Sequence, residues 1–384
     1  MSESERAGGS RRRVPDDDDM LLEILVRLPP QPSSLLRASA VCKRWLEIVT
    51  NSKFQRQFCA HHREPPLLGV FVCSDAEIVF TPVLDPPDRI APQRFDFGRY
   101  SGGSPRALLD CRHGRVLIKN RARQEISVCD PNTGEHHSVA IPPDFNCAFL
   151  NGAVLCAAGG LGHVHGACHS SPFKVVLMSM RRNDRRHITC VYSSETGTWG
   201  NLISTESPWV LPGQPAVLVG NCLYWLCISH DIIEFELDEA SLTVISGAPT
   251  TNDTLYVKRQ IIQAEDGNVG YAILSYPRFQ TWQRNVNSHG VATWVPWKTI
   301  VTDSILGLPP RVEGEMGGKE IIQGYEEDTD VMFLRVNGSV YMVQLKSMQS
   351  KKLNGSLNGH YHPFRSFYTP AIRECDEADM LHNP

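Results

Sequence analysis

The residues best suited to chemistry in this chain lie in the stretch "CAAGGLGHVHGACHS", which brings Cys156, His163, His165, Cys168 and His169 close together. Thiolate sulfur and imidazole nitrogen are the donors of tetrahedral zinc sites, so four of these side chains offer a full ligand set. The spacing argues the other way. There is neither a C-x-x-C pair nor a helical histidine spacing, so the expectation is a glycine-rich loop between strands with no metal and no cofactor.

Other chemical signatures fail on inspection. No G-x-S-x-G, H-E-x-x-H or G-x-x-x-x-G-K-[ST] pattern occurs. "GEMGGKE" has the wrong glycine spacing for a phosphate loop and places Glu320 where a hydroxyl must hold magnesium. "GGLGHVHG" is followed by no amphipathic helix, so it does not fit a dinucleotide fingerprint. "RRNDRR" (residues 181–186) is most simply a solvated turn, and the tryptophans of "TWVPW", near "YPRF", are expected in a core. A glycosidase needs two facing carboxylates, and no acidic pair singles itself out. The expected number of catalytic residues is therefore none.

The chain has 384 residues, 41% hydrophobic and 21% charged, with a formal net charge of −4. That is ordinary globular usage for one large domain plus a small one. No basic stripe interleaved with aromatics is present, which argues against nucleic acid held through its phosphates. The N-terminal "MSESERAGGSRRRVPDDDD" has no apolar stretch like that of a signal peptide, and no apolar run approaches a membrane span, so no membrane partner is expected. The expected location is the cytosol or nucleus, with most of the twelve cysteines buried as reduced thiols. The ends, residues 1–13 and 366–384, are expected to be disordered.

Two textures position these residues. Over residues 14–62 the period is helical. Leu21, Ile24, Leu25 and Leu28 step by three and four behind a run of aspartates, Pro29 should stop that helix, and Leu35, Ala38, Cys42, Trp45 and Val49 continue the stepping after "PPQP". Phe54 and Phe58 extend the pattern. So small a unit cannot hide this much apolar surface on its own and needs a partner. After a linker at 63–66, residues 67–365 are short apolar or alternating runs such as "LLGVFVC", "RVLIK" and "NCLYWLCI" between turn residues, which predicts an all-β domain. Two-residue turns ahead of strands at Gly114, Gly152, Gly220, Gly267 and Gly338 fit a unit of roughly 35–47 residues, near that of a four-stranded propeller blade. "VCDPNTGEHH" and "VYSSETGTWG" echo each other as strands entering a Thr-Gly turn. A six- or seven-bladed propeller is the expectation, with a sandwich pair as the alternative.

"VPDDDDMLLEILVRLPPQPSSLLRASAVCKRWLEIVTNSKFQRQF" resembles the F-box, the helical motif that binds the Skp-type adaptor of SCF ubiquitin ligases. The resemblance implies three helices, with a break near Ala40 and Val41, and assigns adaptor-binding or motif-core positions to Pro15, Leu21, Ile24, Leu25, Leu28, Pro29, Leu35, Leu36, Val41, Cys42 and Trp45. Val14 replaces the usual leucine, and the connections are longer than in the compact motif, as in grass F-box proteins. The remainder is similar to the F-box-associated β-propeller region of plant proteins on "LDCRHGRVLI", "VCDPNTGE" and "LVGNCLYWL". Together the two resemblances imply a non-catalytic substrate receptor of an SCF-type ubiquitin ligase. It would reach cullin and RING subunits through the adaptor, and an unidentified target protein through the β-domain. A non-degradative scaffold or competitor, and a propeller that binds or processes sugars, are the other readings.

Overall fold

The computed structural model describes residues 17–74, 77–97, 106–145, 150–158, 163–168, 171–180, 186–206, 208–211, 213–249, 258–309, 320–354 and 358–368. Its contacts divide the chain into two units, Met1–Pro66 with Phe367–Pro384 and Leu67–Ser366. The disorder expected for residues 1–13 falls outside the described residues, as does that expected for 366–384 except at its start, where Ser366 and Phe367 are buried and ordered against the expectation.

The first unit holds four helices among its described residues: α1 (Asp17–Val26), α2 (Pro32–Ser39), α3 (Lys43–Thr50) and α4 (Ser52–His62). Asp18 and Asp19 lie in the first turn of α1, where the helix dipole favours negative charge. That helix ends at Val26, ahead of Pro29, and its last carbonyls are taken by tight bonds from Arg27 N–H to Ile24 O and Leu28 N–H to Leu25 O. Pro32 opens α2, where its missing N–H costs no helical bond. The break implied by the resemblance is present: Val41 N–H closes onto Ala38 O, and Cys42 is extended before α3 begins. A second break separates α3 from α4. Asn51 is extended there, and its side-chain oxygen accepts from Lys53 N–H (2.8 Å) and Phe54 N–H (3.4 Å), so a cap interrupts a pattern that reads as continuous in sequence.

The second unit is a propeller of six antiparallel sheets. Blade 1 has β3 (Arg106–Arg112), β4 (Arg115–Asn120), β5 (Glu125–Cys129) and β6 (His136–Ala140); blade 2 has β7 (Leu150–Cys156), β8 (Phe173–Met180), β9 (Arg186–Ser193) and β10 (Thr198–Trp199), with β11 (Ile203–Glu206) also on β9. Blade 3 has β12 (Val217–Val219) to β15 (Ser241–Ile245) through β13 (Cys222–Leu226) and β14 (Ile232–Glu236). Blade 4 has β16 (Arg259–Gln263), β17 (Val269–Ser275), β18 (Arg278–Val286) and β19 (Ala292–Val301). Blade 5 has β20 (Ile321–Glu326), β21 (Val331–Val336), β22 (Ser339–Gln344) and β23 (Gln349–Lys352). Blade 6 joins the two ends of the unit: β24 (Tyr361–Arg365) pairs with β1 (Leu67–Ser74), which pairs with β2 (Glu77–Pro82). That pairing ties the first and last strands of the unit into a single blade.

The echo between the two Thr-Gly segments has a structural meaning. Each is the turn between the third and fourth strands of its blade, with Gly134 at φ 80° and Gly197 at φ 68°. Gly114, Gly220 and Gly267 lie between first and second strands, and Gly338 between the second and third strands of blade 5. The turn expected at Gly152 is not one. This glycine is inside β7, where an added Cβ would lie 3.1 Å from Leu177 Cδ2 and 3.2 Å from Leu117 Cδ2, so its role is to let neighbouring blades close up.

Apolar clusters fill the spaces between blades. One joins blades 1 and 2 through Leu117, Val154 and Leu177; another joins blades 2 and 3 through Val176, Trp225 and Phe235; a third runs across blades 3 to 5. Trp225 is fully buried, whereas Trp294 and Trp297 are half-buried, with Trp294 Nε1 donating to Ser246 O at 2.7 Å.

Candidate functional site

The helical unit sorts its apolar residues into two sets. Leu25 is 0% exposed and packs inward with Leu35, Ala38, Val49, Phe54 and Phe58, each large side chain contributing about 1.5–3 kcal/mol on full burial. Ile24, next in the chain to Leu25 and so about 100° away around the helix, is 56% exposed, and its neighbour one turn back, Met20, is exposed as well. Leu36, Leu46 and Val41, the last 60% exposed, complete the outward set. Of the other expected positions, Leu21, Leu28 and Trp45 are half-buried, Pro29 and Cys42 are exposed, and Pro15 lies outside the described residues. Met20 and Leu46 belong to the outward set although the motif positions do not include them. A single exposed leucine is unremarkable, but five large apolar side chains facing water on so small a unit form a surface in want of a partner. Arg44 Nε donates to Asp18 Oδ1 at 2.7 Å, an exposed contact between α3 and α1.

In the propeller, β3, β7, β24 and the segments flanking β12 and β20 carry a buried polar network. Arg112 donates to Asp110 Oδ2 (2.6 Å), Glu327 Oε1 (2.5 Å) and Ala216 O (2.9 Å), and Asp110 also accepts from Val154 N–H (2.9 Å). Blades 1, 2, 3 and 5 thereby meet on one guanidinium–carboxylate pair. Arg365 pairs with Asp328 (2.8 Å) and Glu326 (3.5 Å). Burial raises the Asp110 carboxyl above the usual range against the pull of Arg112, and pushes Glu327 up to about 7 in the same way. These carboxylates are engaged by arginines and act as fasteners of the ring.

A cavity of about 280 Å³ lies between blades 1 and 2, walled by Leu108, Met178, Met180 and Leu211, with His187 beside them and the exposed Trp209 at its edge. Burial lowers His187 to about 4, so its imidazole is neutral at physiological pH. Apolar walls, flexible methionines and an exposed indole suit an apolar side chain from a partner. No motif in the sequence points to this site, because its walls come from five strands and a loop, with no shared local pattern.

The Cys/His stretch forms the connection from β7 to β8. Sequence spacing leaves its donors as independent loop residues, but the hairpin returns Cys168 to Cys156, and the ligand atoms of Cys156, His163, His165 and Cys168 all lie within 4.8 Å of one another. His169 is outside the described residues. The closeness of the two sulfurs favours ionisation of one of them, lowering Cys156 and raising Cys168.

Comparison with known proteins agrees with both units. Residues 107–371 match the family model described as "F-box protein AT5G49610-like, beta-propeller", and residues 18–61 match the model "F-box-like". F-box protein At5g07610 of Arabidopsis thaliana is 37% identical over 63% of this chain and 60% of its own length. F-box protein At5g03970 of the same plant is 23% identical over 71% of this chain and 66% of its own. The matches thus span somewhat less than two thirds of these curated relatives. A chain in the crystal structure of a nidogen/laminin complex is similar over 76% of this chain and 95% of its own, at 11% identity and a TM-score of 0.41.

Proposed function

Because the chain belongs to the plant family of F-box proteins with an AT5G49610-like β-propeller, we propose that it is a substrate receptor of an SCF-type ubiquitin ligase. The helical unit docks on a Skp-type adaptor, and through it on cullin and RING subunits, while the propeller holds a target protein. The observation that carries this reading is the outward apolar set Met20, Ile24, Leu36, Val41 and Leu46 on a folded F-box core. An interface of standard size, ~1,600 Å² in total, covers such a set. The chain contributes no bond-making step: holding a target lysine near a ubiquitin-loaded enzyme raises its effective concentration, and that is the catalysis. The engagement of the propeller's buried carboxylates by arginines supports a binding role over sugar hydrolysis. With this function goes a reducing location, cytosol or nucleus, which a tagged full chain tests.

The structure sets the choice of variant. Leu25→Asp buries a charge and unfolds the unit, so lost binding there says nothing about the interface. Ile24→Asp plus Val41→Asp changes two exposed side chains. The expected result is at least 30-fold weaker binding to purified Skp-type adaptor, from the loss of 2 kcal/mol or more typical of an interface hot spot, about 1.4 kcal/mol per factor of ten, with unchanged thermal unfolding. Full adaptor affinity in that variant overturns the proposal. Proximity labelling with wild type and variant then separates receptor from scaffold: targets of a receptor lose ubiquitylation in the variant, and those of a scaffold or competitor do not.

A further inference from the structure

Two sulfurs converge on one nitrogen in the β7–β8 connection. Cys156 Sγ is 3.2 Å and Cys168 Sγ 3.3 Å from the same His163 Nε2, and Cys168 Sγ is 3.7 Å from His165 Nδ1. Hydrogen bonding accounts poorly for this, since Nε2 carries at most one proton or one lone pair and serves one sulfur well. A cation at the centre serves all four donors together. Zinc–sulfur bonds of about 2.3 Å and zinc–nitrogen bonds of about 2.05 Å at a tetrahedral angle place sulfur and nitrogen roughly 3.5 Å apart. The observed separations bracket that value.

The surroundings are those of a held site. Arg115 donates to Cys168 O and to Ser171 O, both at 2.5 Å, fixing the chain beyond the second cysteine. Gly166, between His165 and Cys168, accepts from Ser366 Oγ at 3.0 Å, and Ser366 in turn is held by Asn132 Nδ2 at 2.6 Å. His113 stacks on His165 with ring centroids 3.8 Å apart and planes at 16°, while its Nδ1 accepts from Cys156 N–H at 3.1 Å. One outer residue thus orients two of the four donors, the task such groups perform around bound metals. Cys168 is buried and His165 exposed, which gives a closed interior and an open side for metal entry.

We propose that Cys156, His163, His165 and Cys168 form a structural Cys2His2 zinc site that pins the β7–β8 connection of blade 2. Two thiolates and two neutral imidazoles in a tetrahedral set select zinc among the common divalent ions, and four protein ligands leave no position for a reacting water.

The test uses the full chain, purified in reductant and dialysed against chelating resin. Metal analysis is expected to find about one zinc per chain, as a four-ligand structural site holds. Replacement by cobalt is expected to give thiolate-to-metal charge transfer and the intense visible bands of a tetrahedral ion. Cys156→Ser with Cys168→Ser is expected to lower zinc at least tenfold and abolish the cobalt charge-transfer band. His165→Ala, at an exposed position that does not endanger folding, keeps the charge-transfer band but moves the visible bands as water replaces a nitrogen. Zinc retained in the double serine variant, the absence of a cobalt spectrum in wild type, or a Cys156–Cys168 disulfide in reduced preparations each overturns the proposal, the last in favour of a redox pair.

Discussion

Arg112 is the residue whose loss the structure makes most calculable. Its guanidinium is buried, bonded to the buried Asp110 and to Glu327, and it also reaches the Ala216 carbonyl in another blade. Arg112→Met keeps an unbranched apolar stem but leaves Asp110 facing no cation. Removing one partner of a buried pair costs about 3–5 kcal/mol, because the remaining charge keeps its desolvation penalty. That penalty falls on the ionised form only. Glu327 already titrates near 7 with Arg112 in place, and without it both carboxyls rise further. A carboxyl raised in the folded state binds more protons there than in the unfolded chain, so stability falls as pH rises from the unfolded value toward the folded one. The expected loss is therefore near its full size at pH 8 and much smaller at pH 5, where protonation of both groups relieves the charge. Denaturant unfolding followed by tryptophan fluorescence reads this out, since six of the seven tryptophans lie in the propeller. Equal losses at pH 5 and pH 8, or a loss under about 1 kcal/mol at pH 8, refute the claim that this pair fastens the blades. Adding Glu327→Gln to the variant is expected to restore part of the stability at pH 8.

Other consequences are as direct. Leu35→Ala removes a fully buried side chain and is expected to cost the helical unit about 2–5 kcal/mol, measured as faster amide exchange in α2 and α3 with the propeller amides unchanged. Asn51→Ala strips the cap from Lys53 and Phe54 and is expected to cost about 1 kcal/mol, whereas Asn51→Asp retains the acceptor and most of the stability. His187 is lowered to about 4 in the folded protein, so the unfolded chain binds the extra proton between about pH 4 and 6.5, and stability is lost on acidification through that window. His187→Gln is expected to flatten that part of the stability profile, seen in melting temperatures between pH 7 and pH 4. Trp209→Ala is expected to reduce capture of target proteins while leaving adaptor affinity unchanged, compared by proximity labelling and adaptor titration.

The helical module was legible because its signals are local. Three-and-four stepping, a proline-rich connector and a run of aspartates specify short helices within a few turns, and the family resemblance supplied the break at Ala40 and Val41 that periodicity hides. The second break, at Asn51, is hidden for the same reason: a cap occupies one position and leaves the apolar stepping intact. The β texture was equally plain from alternation, and the blade-length repeat pointed to a propeller. Its weak member was Gly152, where Asn-Gly marks a close approach between blades and no turn at all.

What the sequence by itself determined, then, is the kind of element at each place, since helix and strand periods are set by neighbours in the chain. Tertiary structure alone decided which side of each element faces inward. Ile24 and Leu25 are equal candidates in the pattern, yet only Leu25 is buried, in the helix that α4 packs against, while Ile24 faces water. It also decided that six blades close the ring, because closure depends on β24 finding β1 from the far end of the unit. And it turned a stretch with no recognised metal spacing into four converging donors, because a hairpin brings its two ends together at a distance no local spacing rule describes.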